Sequence, residues 1–141
     1  SFREDGKTIL EAAFSVLNTS GKYREDGTYE GTSLGSFGIG SKITTFLSHR
    51  LTVMTNRDGE CETCYFIEGE FNNREVYPTR AETGTYVEWV PSEEFFTNTT
   101  VEVSKVKDLF KTISCLCPGL TITLNDNGKL VNVSTVYSST L

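Results

Sequence analysis

The chain contains, at residues 31–49, the sequence Gly-Thr-Ser-Leu-Gly-Ser-Phe-Gly-Ile-Gly-Ser-Lys-Ile-Thr-Thr-Phe-Leu-Ser-His. A glycine-rich loop here leads directly into an amphipathic helix. Glycine lets the backbone turn sharply or approach a ligand closely, and a helix start presents unpaired N–H groups at the positive end of its dipole. The segment predicts a phosphate-binding loop. On glycine content alone, an ordinary connection between two helices is an equal alternative.

Length and composition indicate a single globular domain over residues 1–141. The chain is 37% hydrophobic and 11% aromatic, which is enough for one core. No stretch approaches the roughly 20 apolar residues that span a bilayer, and the polar start is not typical of a signal peptide. We therefore expect a cytoplasmic protein without membrane contact. The net charge of -6 argues against direct DNA binding, which relies on cationic side chains.

Apolar spacing predicts three helices. The first begins with the capping-box pattern Thr8 to Glu11 and ends near residues 18–21. The second starts at Ile39. The third is capped by Ser104 and ends at Pro118-Gly119. Their apolar faces are, in turn, Ile9, Leu10, Ala13, Phe14 and Leu17; Ile43, Phe46 and Leu47; and Val106, Leu109, Phe110 and Ile113.

Strand patterns follow the second helix. Residues 51–55 alternate, 56–59 have turn chemistry and 61–71 favour a pleated surface, so we expect a hairpin. A further strand covers residues 84–90. Residues 120–124 and 130–133 form a second hairpin around Asn125-Asp126-Asn127-Gly128. The fold class is therefore α+β, a two-layer sandwich with helices on one face of a mainly antiparallel sheet. Residues 22–38 lack any period and are predicted to form a lid loop.

Several motifs together resemble one known family. They are Gly-Lys-Tyr at 21–23, Gly-Ser-Phe-Gly-Ile-Gly at 35–40, Arg-Asp-Gly at 57–59, Thr-Gly-Thr at 83–85 followed by Glu-Trp-Val-Pro at 88–91, and Pro-Gly-Leu-Thr-Ile-Thr-Leu-Asn-Asp at 118–126. In this order they are similar to the ATPase region of bacterial type IIA DNA topoisomerase B subunits, which are those of gyrase and topoisomerase IV. The resemblance covers nearly the whole chain and implies a partial GHKL-type sandwich.

The resemblance also implies which residues bind ATP. Tyr29 lies where the family has a tyrosine that reaches the adenine, and Thr85 where a threonine on the sheet holds the adenine edge through water. The phosphate-binding positions correspond to Lys22, Gly35, Ser36, Phe37, Gly38, Ile39 and Gly40.

Other positions depart from the family pattern. Phe37 replaces a histidine, Glu30 replaces a lysine, and Thr63 stands where the family has an arginine beside the adenine pocket. The catalytic glutamate and the Mg²⁺-binding asparagine of the family are expected upstream of the first residue. We therefore expect no catalytic residue in this segment, which would lack the N-terminal catalytic helix and would not hydrolyse ATP alone.

The function implied by the resemblance is ATP binding within the gyrase B type of topoisomerase polypeptide. ATP, with Mg²⁺, would close a dimer of B subunits and so power DNA strand passage, while the A subunit and DNA contact other parts of the protein. Two alternatives remain open: a non-catalytic GHKL-like interaction module that has lost nucleotide binding, and a different GHKL branch such as a MutL-like or kinase-like ATPase.

Cysteine and histidine provide weaker candidates. Cys61-x-x-Cys64 and Cys115-x-Cys117 could supply four zinc ligands, but Cys61 and Cys64 would point to opposite faces of a strand, which favours buried, reduced thiols. His49, the only histidine, is interpreted as a helix-end residue stabilised by the helix dipole rather than as a catalytic group.

Overall fold

The computed structural model describes residues 2–16 and 40–132, which contain three α-helices and six β-strands. The chain divides into two compact units, Ser1–Thr99 and Thr100–Leu141, so a single domain over 1–141 stays a prediction. The predicted lid at 22–38 lies outside the described residues. The elements are α1 (Ile9–Ser15), α2 (Gly40–Phe46), β1 (Ser48–Arg57), β2 (Glu60–Ile67), β3 (Glu70–Pro78), β4 (Gly84–Pro91), α3 (Val103–Leu116), β5 (Thr123–Asp126) and β6 (Lys129–Asn132).

The first unit contains a four-stranded antiparallel sheet with the strand order β3-β2-β1-β4. Two-residue turns, Asp58-Gly59 and Glu68-Gly69, connect β1 to β2 and β2 to β3. All four turn residues have positive φ, between 49° and 80°, which is the conformation that fits the right-handed twist of a hairpin. The sequence patterns predict the first hairpin but not β3.

The core of this sheet lies on one face. Leu51 and Val53 of β1 pair directly with Phe66 and Cys64 of β2, and all four side chains are at most 1% exposed. Leu10 and Phe14 of α1 pack against this cluster. A helix over one face of an antiparallel sheet confirms the predicted α+β class and matches a partial GHKL-type sandwich.

Helix α1 begins at the predicted cap. The Thr8 hydroxyl accepts a hydrogen bond from the Glu11 backbone N–H at 3.2 Å. The helix ends at Ser15, and Val16 is extended, so the helix is shorter than predicted. Ile9, predicted to lie on the inner face, is 63% exposed, because the helix turns this position away from the Leu10 and Phe14 contacts. The predicted contact of Leu17 lies outside the described residues.

Helix α2 buries polar rather than apolar side chains. Ile43 and Phe46 are 47% and 60% exposed, whereas Thr45 and Ser48 are buried. The Thr45 and Ser48 hydroxyls donate to the carbonyls four residues earlier, which satisfies them inside the fold. His49 lies in β1, two residues after Leu47, and not at a helix end as predicted; its Nδ1 pairs with the Glu68 carboxylate.

The second unit contains α3 and the β5–β6 hairpin. Helix α3 starts one residue before Ser104, with Glu102 as the N-cap and no side-chain cap bond, so the predicted Ser104 cap is wrong. Leu109 is 57% exposed, contrary to its predicted inward position, because it lies on the opposite side from the partly buried Val106, Phe110 and Ile113. The predicted hairpin is confirmed, and the Asn125 side chain accepts from the Gly128 N–H at 2.8 Å.

All four cysteines lie within the described residues and are free thiols. Cys61 and Cys64 are buried, as predicted, whereas Cys115 and Cys117 are exposed because they lie in and just after the last turn of α3, at the unit surface. Among residues 2–16 and 40–132, no group of three or more metal-ligating side chains comes together. Within the same residues, no helix has the length and apolar character to cross a membrane.

Candidate functional site

A cavity of about 630 Å³ lies between α1 and the end of the sheet where β1 meets β2 and β4. Its wall is apolar and comes from α1: Ile9, Leu10 and Ala13. Because Leu10 also packs on the core, this wall is part of the folded unit and not a loose segment.

The floor of the cavity is a row of polar side chains across three strands. Thr55 of β1 lies directly opposite Thr85 of β4 on one side and Glu62 of β2 on the other. All three residues line the cavity. Directly paired positions in a sheet present their side chains on the same face, so the two hydroxyls and the carboxylate form one continuous edge.

The mouth of the cavity carries charges of both signs. Arg57 and Asp58 of the first hairpin turn form an ion pair at 3.6 Å, and Glu60 lies beside them. The Arg57 and Asp58 side chains are 82% and 91% exposed, so water screens this pair. With two carboxylates and one guanidinium, the mouth does not attract a polyanion.

This combination of surfaces suits a flat heterocycle better than a phosphate. The apolar wall can pack against a ring, while threonine hydroxyls can both donate to and accept from its polar edge. A phosphate group would need cations or free N–H groups, which the floor does not supply.

Thr85 is the predicted adenine-pocket residue that the structure describes, and it lies in the cavity. Of the predicted phosphate-binding positions, the structure describes Gly40, the first residue of α2. The remaining predicted ligands lie outside the described residues; they are Lys22, Tyr29, Gly35, Ser36, Phe37, Gly38 and Ile39.

Gly40 does not line the cavity but is connected to its wall. The hydroxyl of Ser41, the next residue, donates to the carbonyl of Ala13 at 2.6 Å. Ala13 is a wall residue, so the start of α2 is held one hydrogen bond away from the cavity. Space is open around Gly40, where an added Cβ would meet no atom within 4 Å. Partial burial lowers the pKa of Lys42 in the same turn.

Thr63 does not border the cavity, contrary to the resemblance-based expectation. It is 5% exposed and lies on the opposite face of β2 from its neighbours Glu62 and Cys64, because side chains alternate along a strand. Glu62 lines the cavity in its place, and the Cys64 thiol donates to its carboxylate at 3.8 Å.

Sequence patterns miss two charged residues that hold the wall in position. The Glu11 side chain of α1 is buried and pairs with Lys7 at 2.9 Å and with Arg74 of β3 at 3.5 Å. The sequence patterns identify Glu11 only as part of a helix cap, and Arg74 lies in the strand that they do not predict. An acidic residue on the buried side of a helix is the available signal.

A second cavity, of about 540 Å³, lies at the other end of β1. Its lining includes three carboxylates, from Glu68, Glu93 and Glu94, and the imidazole of His49, which is already paired with Glu68. Its acidic lining does not match the predicted anion-binding role.

The fold and the first cavity together define the class: an α+β sandwich of the GHKL type, present in part, with a cavity between its helical layer and its antiparallel sheet. No protein-family model matches the chain. Over 126 residues, or 87% of the chain, it is 32% identical to the B subunits of DNA topoisomerase 4 from Salmonella typhimurium and from Escherichia coli K12. It is 31% identical over the same length to the DNA gyrase B subunit of Thermus thermophilus.

The chain belongs to this family of type II topoisomerase B subunits, as a segment of one of them. It spans about a fifth of the length of the curated relatives that it matches, since the aligned part covers 20% of each.

Proposed function

We propose that this segment forms part of the ATP-binding site of a type II DNA topoisomerase B subunit. The observation that carries the proposal is the cavity whose floor pairs Thr55 with Thr85 and whose wall is the apolar side of α1. The base of the nucleotide would lie in this cavity, with its polar edge against the hydroxyl row.

The triphosphate would extend toward the start of α2. Ser41 connects that start to the cavity wall through the Ala13 carbonyl, so a ligand that fills the cavity can also reach the preceding glycine-rich loop. Backbone N–H groups of Gly35 to Gly40 and the Lys22 side chain would contact the phosphates, and Tyr29 would reach the adenine. These contacts rest on the family resemblance.

Catalysis would need residues from outside this segment. The general base and the Mg²⁺ ligand of the proposed activity are assigned to a helix upstream, so the segment supplies binding and not hydrolysis. In the complete protein, which we place in the cytoplasm, ATP would drive closure of two B subunits and strand passage through DNA held with the A subunit.

Calorimetric titration with a non-hydrolysable ATP analogue and Mg²⁺ tests the proposal, in this chain and in the complete parent protein. Thr85→Val should weaken binding about two- to tenfold, the loss expected for one hydrogen bond of about 0.5–1.5 kcal/mol. Thr52→Val is the matched control, because Thr52 lies on the opposite face of β1 from Thr55.

Equal affinities for Thr85→Val, Thr52→Val and the unmodified protein would remove Thr85 from the site. Absence of binding by both the chain and the complete parent protein would contradict the proposal, and would favour a GHKL-like interaction module without a nucleotide.

A further inference from the structure

Arg74 connects three separate parts of the first unit. Its guanidinium lies 3.5 Å from the Glu11 carboxylate of α1 and 4.9 Å from the centre of the Phe2 ring, while its backbone is in β3. Glu11 is 4% exposed, so its charge depends on these partners and on Lys7. A buried carboxylate that loses its cation is costly, which makes this contact a strong restraint on where α1 lies.

The two cations around Glu11 have different consequences. Lys7 lies four residues before Glu11, next to the same helix, so its ion pair cannot hold α1 on the sheet. Arg74 comes from the opposite layer and can. Helix α1 is only seven residues long, too short to be stable without tertiary contacts.

We infer that Arg74 is a positioning residue: its ion pair with Glu11 fastens α1 to β3 and thereby holds the apolar wall of the cavity over the Thr55–Thr85 floor. The consequence for nucleotide binding rests on the function proposed above. The fastening itself does not, and it can be measured without any nucleotide.

Cys64 is a built-in reporter of α1 position. Its thiol is buried beneath α1, within the cluster that Leu10 and Phe14 cover, and its backbone is paired directly with Arg74. Burial, and then the charges of Glu62 and Glu11, raise the pKa of Cys64 to about 12, so the covered thiol is unreactive. Lifting of α1 would expose it.

Cys61 is the matched internal control. It is equally buried, at 1% exposure, but lies on the opposite face of β2, three residues away. Opening of the whole unit exposes both thiols, whereas lifting of α1 exposes Cys64 alone. The ratio of their alkylation rates, read by peptide mass spectrometry after iodoacetamide treatment, therefore measures α1 detachment separately from general destabilisation.

Arg74→Gln should raise the Cys64-to-Cys61 alkylation ratio about tenfold, the change that corresponds to about 1.4 kcal/mol in the opening equilibrium. Glu11→Gln should raise it similarly, and Lys7→Gln should leave it within about twofold. Direct electrostatics predict otherwise, because the Arg74 charge lowers the pKa of Cys64 and its removal alone would slow the thiol.

An unchanged or lower ratio in Arg74→Gln would overturn the inference, as would an equal rise in Lys7→Gln. If Arg74→Gln unfolds the unit, so that both thiols react alike, Arg74→Lys should fold and give a ratio between those of the unmodified protein and Glu11→Gln. An Arg74→Lys ratio equal to that of the unmodified protein would then count against a need for the guanidinium.

Binding of the ATP analogue separates this inference from the proposed function. If both hold, Arg74→Gln weakens binding about tenfold although Arg74 does not line the cavity. A raised thiol ratio with no nucleotide binding by the unmodified protein leaves the fastening intact and contradicts the proposed function. Nucleotide binding with an unchanged ratio does the reverse.

Discussion

Gly69 lies where the β2–β3 turn presses on the end of α2, and its replacement by alanine gives a prediction with a worked magnitude. Gly69 has φ of +80°, and an added Cβ would lie 3.1 Å from the Phe46 Cα and 3.2 Å from its carbonyl oxygen. A side chain at positive φ costs about 1–2 kcal/mol. Overpacking against backbone atoms adds about 1–3 kcal/mol, because backbone cannot rotate away.

Gly59 provides the control for the first of these two costs. It occupies the same position in the β1–β2 turn with φ of +77°, but an added Cβ would meet only the Thr79 carbonyl, at 4.0 Å. Gly59→Ala should therefore lose about 1–2 kcal/mol of unfolding free energy, and Gly69→Ala about 2–5 kcal/mol.

Urea titration followed by far-ultraviolet circular dichroism measures both losses, provided that the slopes with denaturant agree between the variants. Equal losses for Gly59→Ala and Gly69→Ala would refute the reasoning, since they would mean that the turn does not press on α2. A larger loss for Gly69→Ala indicates that this turn holds the end of the helix that follows the predicted lid.

Three further predictions concern stability. Thr8→Ala should cost about 1 kcal/mol through loss of the α1 cap, while Ser104→Ala should stay within about 0.5 kcal/mol because Ser104 is not the cap of α3; denaturant titration of each compares them. Phe66→Ala should cost about 3–5 kcal/mol by opening a cavity in the core, and a loss below about 1 kcal/mol in the same assay would contradict the assigned packing. The pKa of Cys64 is raised in the folded state from 9.0 to about 12, so the unfolded chain loses its thiol proton first and stability should fall as pH rises from about 9 to 12. The fall should be shallower in Cys64→Ala, and identical pH profiles of unfolding free energy would sink this prediction.

Local patterns predict the elements whose residues alternate or repeat, and miss those held by pairing alone. Strand β4 and both predicted hairpins carry their own apolar alternation or turn residues. Strand β3 does not: most of its side chains are exposed, and it forms because the Glu68-Gly69 turn returns the chain along β2. Such an edge strand is determined by its neighbour more than by its own sequence.

Helix faces show a related limit. The spacing of Ile43 and Phe46 identifies one side of α2, yet spacing does not state whether another element covers that side. In the described residues Phe46 meets the Phe95 ring, 5.4 Å away between centroids, and remains 60% exposed. Burial depends on tertiary placement, which periodicity does not contain.

The candidate site divides in the same way. Thr85 can be named from a motif, but Thr55 and Glu62 join it only through strand register, which places residues from three strands in one row. A shift of one residue in β1 would send Thr55 to the opposite face. The floor of the cavity is therefore a property of pairing and not of any single segment.

Helix α1 brings these separate features together. Its seven residues contribute the cavity wall through Ala13, accept the hydrogen bond that holds the start of α2, and carry the Glu11 charge that Arg74 neutralises. Because so short a helix has little stability of its own, each contact supports the others. A change at Arg74 on β3 should therefore be felt through α1 at Ser41, at the start of the helix that follows the predicted lid.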